Sequence, residues 1–204
     1  MVLTDIYRGL GAAVRRGEVR ELRVVQIFPK GTPVGNSPPI GLAGEENGRA
    51  ILGTVPVEAD GSARFLVPSR RPVLFQALDA DGFAVQTMRT ITYLQPGERI
   101  SCAGCHEDRM TAPPPGPAPL ALRRGPSAIE PGALGGRPFS FMEVVQPILD
   151  RRCATCHGGA KTEGNVDLTA APRDAYVRSY VTLCGDRDFA GGGTNPKNAA
   201  EALV

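Results

Sequence analysis

The sequence predicts a mixed fold: a mainly β N-terminal domain built as an antiparallel sheet or sandwich, then a proline-rich linker, then a small α-helical domain. Three observations carry it. Between residues 24 and 91, strand-length runs rich in β-branched side chains recur with turn residues between them. Pro113, Pro114, Pro115, Pro117, Pro119, Pro126 and Pro131 then crowd a stretch unsuited to helix or central strand. From Phe139 the spacing of apolar residues becomes helical. The expected organisation is residues 1–111, a linker at 112–138, and a second domain at 139–204.

The elements follow in order. Residues 1–17 hold a short helical pattern in Ile6, Leu10 and Val14, beside Arg15 and Arg16. Val24–Phe28 reads as a strand, and Pro29 to Arg49 as a long Gly/Pro/Asn loop. Ile51–Val57, Ser62–Val67, Val73–Leu78 and Phe83–Ile91 are the next strand candidates. Two separators are near copies, Glu58-Ala59-Asp60-Gly61 and Asp79-Ala80-Asp81-Gly82, and each reads as a hairpin turn because Asp-Gly tolerates positive φ. In Ser62–Val67 the alternation puts Ser62 and Arg64 outward, against Ala63, Phe65 and Val67.

In the linker, Leu120-Ala121-Leu122 is the one segment apolar enough to dock on a domain. Beyond it, Ser140 followed by Glu143 makes a capping box for a helix running to about Arg152, with Val144, Val145, Ile148 and Leu149 as its apolar stripe. Pro147 should kink or restart that helix. Asp174–Leu183 reads as a second helix, and Gly191–Pro196 as loop.

Composition narrows the function. The 25 glycines and 19 prolines favour turns over a bundle, and a net charge of +2 argues against nucleic acid or an anionic membrane as partner. No apolar run approaches the roughly 18 residues of a transmembrane helix. Both histidines and four of the five cysteines fall in two pentapeptides, Cys102-Ala103-Gly104-Cys105-His106 and Cys153-Ala154-Thr155-Cys156-His157. C-x-x-C-H is the attachment pattern for c-type haem: two thiols add to the vinyl groups and the adjacent histidine ligates the iron. Two covalently attached haem c groups are therefore expected, with His106 and His157 as metal ligands and the second domain as cytochrome c-like.

The order of motifs resembles a known family. A strand, an Asp-Gly turn, Phe75-Gln76-Ala77-Leu78-Asp79, Pro96-Gly97-Glu98 and then Ser101–Glu107 resemble the hydrazine synthase alpha-subunit family in its middle domain. Val145-Gln146-Pro147-Ile148-Leu149-Asp150, leading into Cys153–Gly159, resembles its C-terminal cytochrome c domain, and also the cytochrome c domains of planctomycete-type multidomain proteins. The resemblance covers roughly residues 1–185. It implies haem attachment at Cys102, Cys105, Cys153 and Cys156 and ligation by His106 and His157. The family's distal histidine for the second haem has no counterpart, since no histidine follows His157. Hydrazine formation itself is not carried over from so broad a family.

Bacterial c-type haem is attached outside the cytoplasm, so a periplasmic or otherwise exported location is expected. The start, Met1 to Gly9, lacks the charged and apolar regions of a signal peptide, and the chain reads as a piece of a longer exported protein with other domains. The distal ligand of the second haem would then lie beyond Val204. For the first haem the candidates are Met88, Met110, Met142 and Tyr93, each also explicable as packing; Tyr176 and Tyr180 read as packing on a helix. Arg99, Arg109, Arg151 and Arg152 are candidates to pair with haem propionates. Glu107 and Asp108 read as surface acids, with proton transfer as the functional alternative, and Cys184 as a small buried apolar residue.

Three functions compete. The leading one is a di-haem electron-transfer module serving redox partner proteins. The second is a haem-dependent oxidoreductase whose first haem keeps an open coordination position. The third is a structural zinc site made of Cys102, Cys105, Cys153 and Cys156, for which the spacing between the pairs is long.

Overall fold

A computed structural model describes residues 1–31, 33–35, 46–105, 110, 116–159, 161–173 and 176–184. The chain forms two compact units, Met1–Gly31 with Asn47–Pro138, and Thr32–Glu46 with Phe139–Val204. It is mainly β, with antiparallel sheets and a short C-terminal helical region.

The first unit holds β1 (Val2–Leu3), β2 (Glu21–Phe28), β3 (Gly48–Pro56), β4 (Ala63–Arg64), β5 (Val73–Leu78), β6 (Ala84–Thr87) and β7 (Ser101–Cys102). A four-stranded antiparallel sheet runs β3-β2-β5-β6. Its centre is β2, whose β-branched run is buried on both faces. Leu22 and Val24 join Val55, Val73 and Ala77 in the main core, while Val25 and Ile27 pack with Leu74 on the other side. A second sheet, β4-β1-β7, is antiparallel at β1–β4 and parallel at β1–β7. Phe65 and Phe75 meet edge-to-face at 5.5 Å in the main core.

Val73–Leu78 forms a strand over the range expected, and Asp79–Gly82 turns the chain from β5 into β6. Gly82 takes φ 82°, and Asp79 Oδ1 accepts hydrogen bonds from Asp81 and Phe83 N–H. Elsewhere the structure corrects the alternation. Ser62 is fully buried rather than outward, because its hydroxyl donates to Asp60 Oδ1 and accepts from Ala121 N–H. Only Ala63–Arg64 of that run pairs as a strand, and Glu58–Gly61 joins strands of two different sheets rather than making a hairpin. Phe83–Ile91 shortens to Ala84–Thr87.

Residues 4–19 form successive turns, not a helix. Gly9 and Gly17 sit at φ 82° and 86°, which three apolar positions cannot override. The Tyr7 hydroxyl gathers these turns by accepting from Gly17 and Val19 N–H.

Residues 119–138 are not a free spacer. Ala121, in the 3₁₀ turn Leu120–Arg123, is fully buried, and Ser127, Glu130 and Pro138 bridge to Phe65, Thr54 and Ala50. Glu130 reaches Thr54 because β3 carries a bulge opposite Val24/Val25 and Gly53 there has φ 145°, where a side chain would lie 1.9 Å from the Glu130 carbonyl.

The second unit opens with Ser140, whose hydroxyl accepts from Glu143 N–H and caps a π-helical turn, Phe141–Val145. α1 (Gln146–Arg152) restarts there with Pro147 in its first turn, where a missing N–H costs nothing. The expected stripe is not the buried face: Gln146 is 2% exposed and Ile148 49%. Then come β8 (His157–Gly158) and β9 (Lys161–Thr162), a hairpin; β10 (Pro172–Arg173) and β11 (Tyr176–Val177), another; and α2 (Arg178–Cys184). α2 starts later than the helix expected at Asp174, which lies outside the described residues. Tyr180 stacks on Tyr176 and meets Phe141 edge-on, which makes both tyrosines packing residues. Among the described residues no helix is long and apolar enough to cross a membrane.

Two predictions follow from the docked segment. Gly53→Ala should cost about 1–3 kcal/mol in chemical denaturation, because the added methyl overlaps the Glu130 backbone. The second concerns acid. Burial alone would push the Asp60 carboxyl up, but N–H of Leu120 and the hydroxyl and N–H of Ser62 hold it below the ordinary range. Its contribution is therefore complete above that range and lost as pH falls through the lowered value. Pepsin cleavage within residues 119–138 should accelerate on that descent before the rest of the unit is cut.

Candidate functional site

Cys102 and Cys105 reach the edge of the main core through hydrogen bonds to the N-terminal residues. Val2 N–H donates to Ile100 O (2.9 Å), Thr4 N–H to Cys102 O (2.9 Å), the Thr4 hydroxyl to Ala103 O (2.9 Å), and Cys105 N–H to Arg8 O (3.1 Å). Ala103 and Gly104 are buried under this strap. A Cβ on Gly104 would lie 2.3 Å from the Arg8 carbonyl, so only glycine lets the segment close down.

Both thiols then line a cavity of about 550 Å³, inside the range of about 300–1,000 Å³ usual for cofactor sites. One wall is apolar: Leu3, Ile6, Leu22, Phe65, Phe75 and Ala77. The other is the arm Gln86–Thr92, with Thr87, Thr90, Thr92 and Arg89 beside Met88 and Ile91. Partial burial, with Cys102 nearby, pushes the Cys105 thiol up. The residues present fit a haem c: two cysteines on the lining of a recess that also carries apolar side chains and hydrogen-bonding groups. His106, Glu107, Asp108 and Arg109 lie outside the described residues.

The other predicted residues divide cleanly. Met88 lines the cavity; Tyr93 does not, and is exposed. Met110 is 90% exposed and Met142 is exposed. Arg99 lines a different recess, of about 670 Å³, with Arg64, Pro96 and Leu122. Arg89 and the threonines of the arm have no motif to mark them; only the fold puts them on the cavity that the two cysteines line.

In the second unit the pentapeptide forms a turn at the end of α1. Cys153 N–H donates to Leu149 O (2.8 Å), and Cys156 and His157 N–H both donate to Cys153 O. Gly158 is held to glycine, since a Cβ there would meet the Ala154 carbonyl at 2.7 Å. The His157 ring has its Nδ1 3.2 Å from the Glu163 carbonyl oxygen. A carbonyl only accepts, so Nδ1 carries the proton and Nε2 keeps the lone pair that a metal needs. Cys156 is exposed and Cys153 half-buried, while Arg151 and Arg152 are exposed beside them. The reading of the Cys184 side chain falls outside what is described. Among the described residues of each unit, no three His, Cys, Asp or Glu side chains gather into a group able to hold a metal ion.

The contrast between the thiols is testable on chain made without haem maturation. Cys105, half-buried and with its thiol pushed up, should alkylate with iodoacetamide several-fold more slowly than exposed Cys156 near neutral pH, read by peptide mass spectrometry.

Residues 17–107 match the family model described as hydrazine synthase alpha subunit middle domain. Hydrazine synthase subunit alpha of Kuenenia stuttgartiensis is 26% identical over 273 aligned positions, covering 94% of this chain and 33% of the relative. The solved Kuenenia stuttgartiensis hydrazine synthase shares the fold with a TM-score of 0.68 at 24% identity, over 96% of this chain and 34% of that one. The chain thus spans a third of the length of the relatives it matches. Residues 17–107 are thus similar to the hydrazine synthase alpha-subunit middle domain, and the chain is a distant homologue of that subunit over most of its length.

Proposed function

We propose that this chain is the haem-bearing part of a hydrazine synthase alpha-like oxidoreductase that works on a small nitrogen-containing molecule. One haem c would be attached at Cys102 and Cys105, and a second at Cys153 and Cys156 with His157 as axial ligand. The observation that carries the reading is the cavity: both cysteines of the first motif line a recess of cofactor size whose lining is part apolar core and part polar arm. Bound there, a haem supplies an iron that changes oxidation state and, with a coordination position open, takes a small molecule.

The chain's own residues have separable tasks. Leu3, Leu22, Phe65 and Phe75 keep water from the slot and give a flat cofactor apolar surface to lie against. Thr87, Thr90, Thr92 and Gln86 offer hydroxyl and amide groups to orient a polar ligand, and Arg89 offers a guanidinium. His157, with its Nδ1 proton held by Glu163, presents Nε2 for ligation in the second unit. The names of the relatives bring the substrate class; the working compartment is taken to lie outside the cytoplasm, and the partners to be redox proteins and further domains of a longer parent chain.

The second reading, a di-haem electron-transfer module, is favoured by one observation: Met88 lines the same cavity, and a thioether there would close the first iron's sixth position. Carbon monoxide separates the two. The chain, exported in a host that matures cytochromes c, should contain about two haems by pyridine haemochrome. Its reduced spectrum should change on adding carbon monoxide, and Cys102→Ala with Cys105→Ala should remove one haem together with most of that change. If the first haem ignores carbon monoxide, the electron-transfer reading replaces ours; if the protein emerges colourless, both go.

A further inference from the structure

The second unit buries a polar side chain that the haem motif does not require. Gln146, at the start of α1 and 2% exposed, donates from Nε2 to Leu168 O (3.1 Å) and to Asp150 Oδ1 (2.8 Å). Its Oε1 accepts from the hydroxyl of Ser179, which is fully buried on α2 (2.5 Å). Both amide protons are thus used, and a side chain so fully satisfied holds one geometry.

What it holds is the segment facing His157. Leu168 N–H donates to His157 O (2.7 Å), so the residue whose carbonyl Gln146 grips is the one paired to the histidine's own backbone. The same segment begins at Glu163, whose N–H donates to Cys156 O (3.3 Å) and whose carbonyl takes the His157 Nδ1 proton. Residues 163–168 are therefore fastened to Cys156 and His157 at both ends and to α1 through Gln146. α1 in turn runs into Cys153, so one helix both delivers the thiols and holds, at Leu168, one end of the segment whose other end, Glu163, aims the imidazole.

Resting on the haem reading above, we propose that Gln146 is the positioning residue for the second haem's axial ligand. It sets the His157 ring through Leu168 and Glu163, and Ser179 ties this clamp to α2 without being part of the relay.

The test compares Gln146→Leu with Ser179→Ala in the exported, matured full chain. Both remove a hydrogen bond of the same buried cluster and should lower the melting temperature; only the first removes the donor to Leu168. Two haems per chain should be retained in each variant, because attachment is covalent. Gln146→Leu should shift the reduction potential of one haem and raise its high-spin fraction in electron paramagnetic resonance, whereas Ser179→Ala should leave both as in the parent. Gln146→Met, which also lacks the donor, carries the comparison should the leucine variant fail to fold. If both classes of variant keep parental potentials and spin states while losing stability, Gln146 is merely structural and the proposal is overturned. A parent chain without haem is a different result, and overturns the functional reading beneath it.

Discussion

The parallel pairing of β1 with β7 places the first motif, and it is a weak element made strong by its extensions. Two-residue strands have little stability of their own. Here the pair is continued on both sides, from Val2 to Ile100 and from Arg8 to Cys105, with the Thr4 hydroxyl adding a bond to Ala103. These contacts close a loop of nearly the whole unit, and the closure entropy is offset by core burial of Leu3 and Ile6, which project from the same N-terminal segment. Without the strap, residues 101–105 would be an ordinary surface loop. With it, two thiols stand against a hydrophobic core, the half-buried Cys105 held largely protonated.

The same pentapeptide is thus used in two physical settings. Around Cys153 the geometry is local: a helix end, a tight turn, and a hairpin with Gly159 at φ 80°. Around Cys102 it is non-local, made by residues ninety or more positions away. A local site is built by its own sequence, as where the His157 ring meets the carbonyl of Glu163 six residues on. A non-local site is enclosed by whatever the fold brings, here an apolar wall and a polar arm. The two motifs therefore differ in their surroundings, a helix end in the second unit and a core edge in the first.

How much was legible in the sequence follows from the same distinction. Val73–Leu78, the Asp79–Gly82 turn, the Ser140 cap and the restart at Pro147 were readable because each is decided within a few residues. Polarity misled where a side chain finds its partners inside. Ser62 was read as outward and Gln146 was unremarked, yet both are buried, since Asp60 and Ala121 satisfy one and Leu168, Asp150 and Ser179 the other. The helical stripe failed for the converse reason: with Gln146 taking the buried face, Ile148 turns outward. The proline-rich stretch was read as spacer because it lacks donors, but Ser127 and Glu130 keep theirs, and one bond from each suffices to seat it. The attachment cysteines were visible as a motif; the cavity and its arm were not, because no spacing rule connects Thr87 or Arg89 with Cys102.

Were a haem bound in the first cavity, methionines on its lining could close the iron, and Met88 is the one that the arm brings. Its backbone N–H is spent on Phe75 O (2.9 Å), which fixes where along β5 the residue sits. Its side chain also packs with Val25, Ile27, Leu74 and Ile51, a cluster on the face of the sheet away from the main core. To serve as an iron ligand it would have to leave that cluster and expose part of its apolar surface, at about 25 cal/mol per Å². The arm would have to follow, since Thr87 on one side accepts a hydrogen bond from Gln76 of β5. The contacts Met88 already makes therefore oppose closure by its thioether, and Met1, which lines the same cavity, packs against the main core.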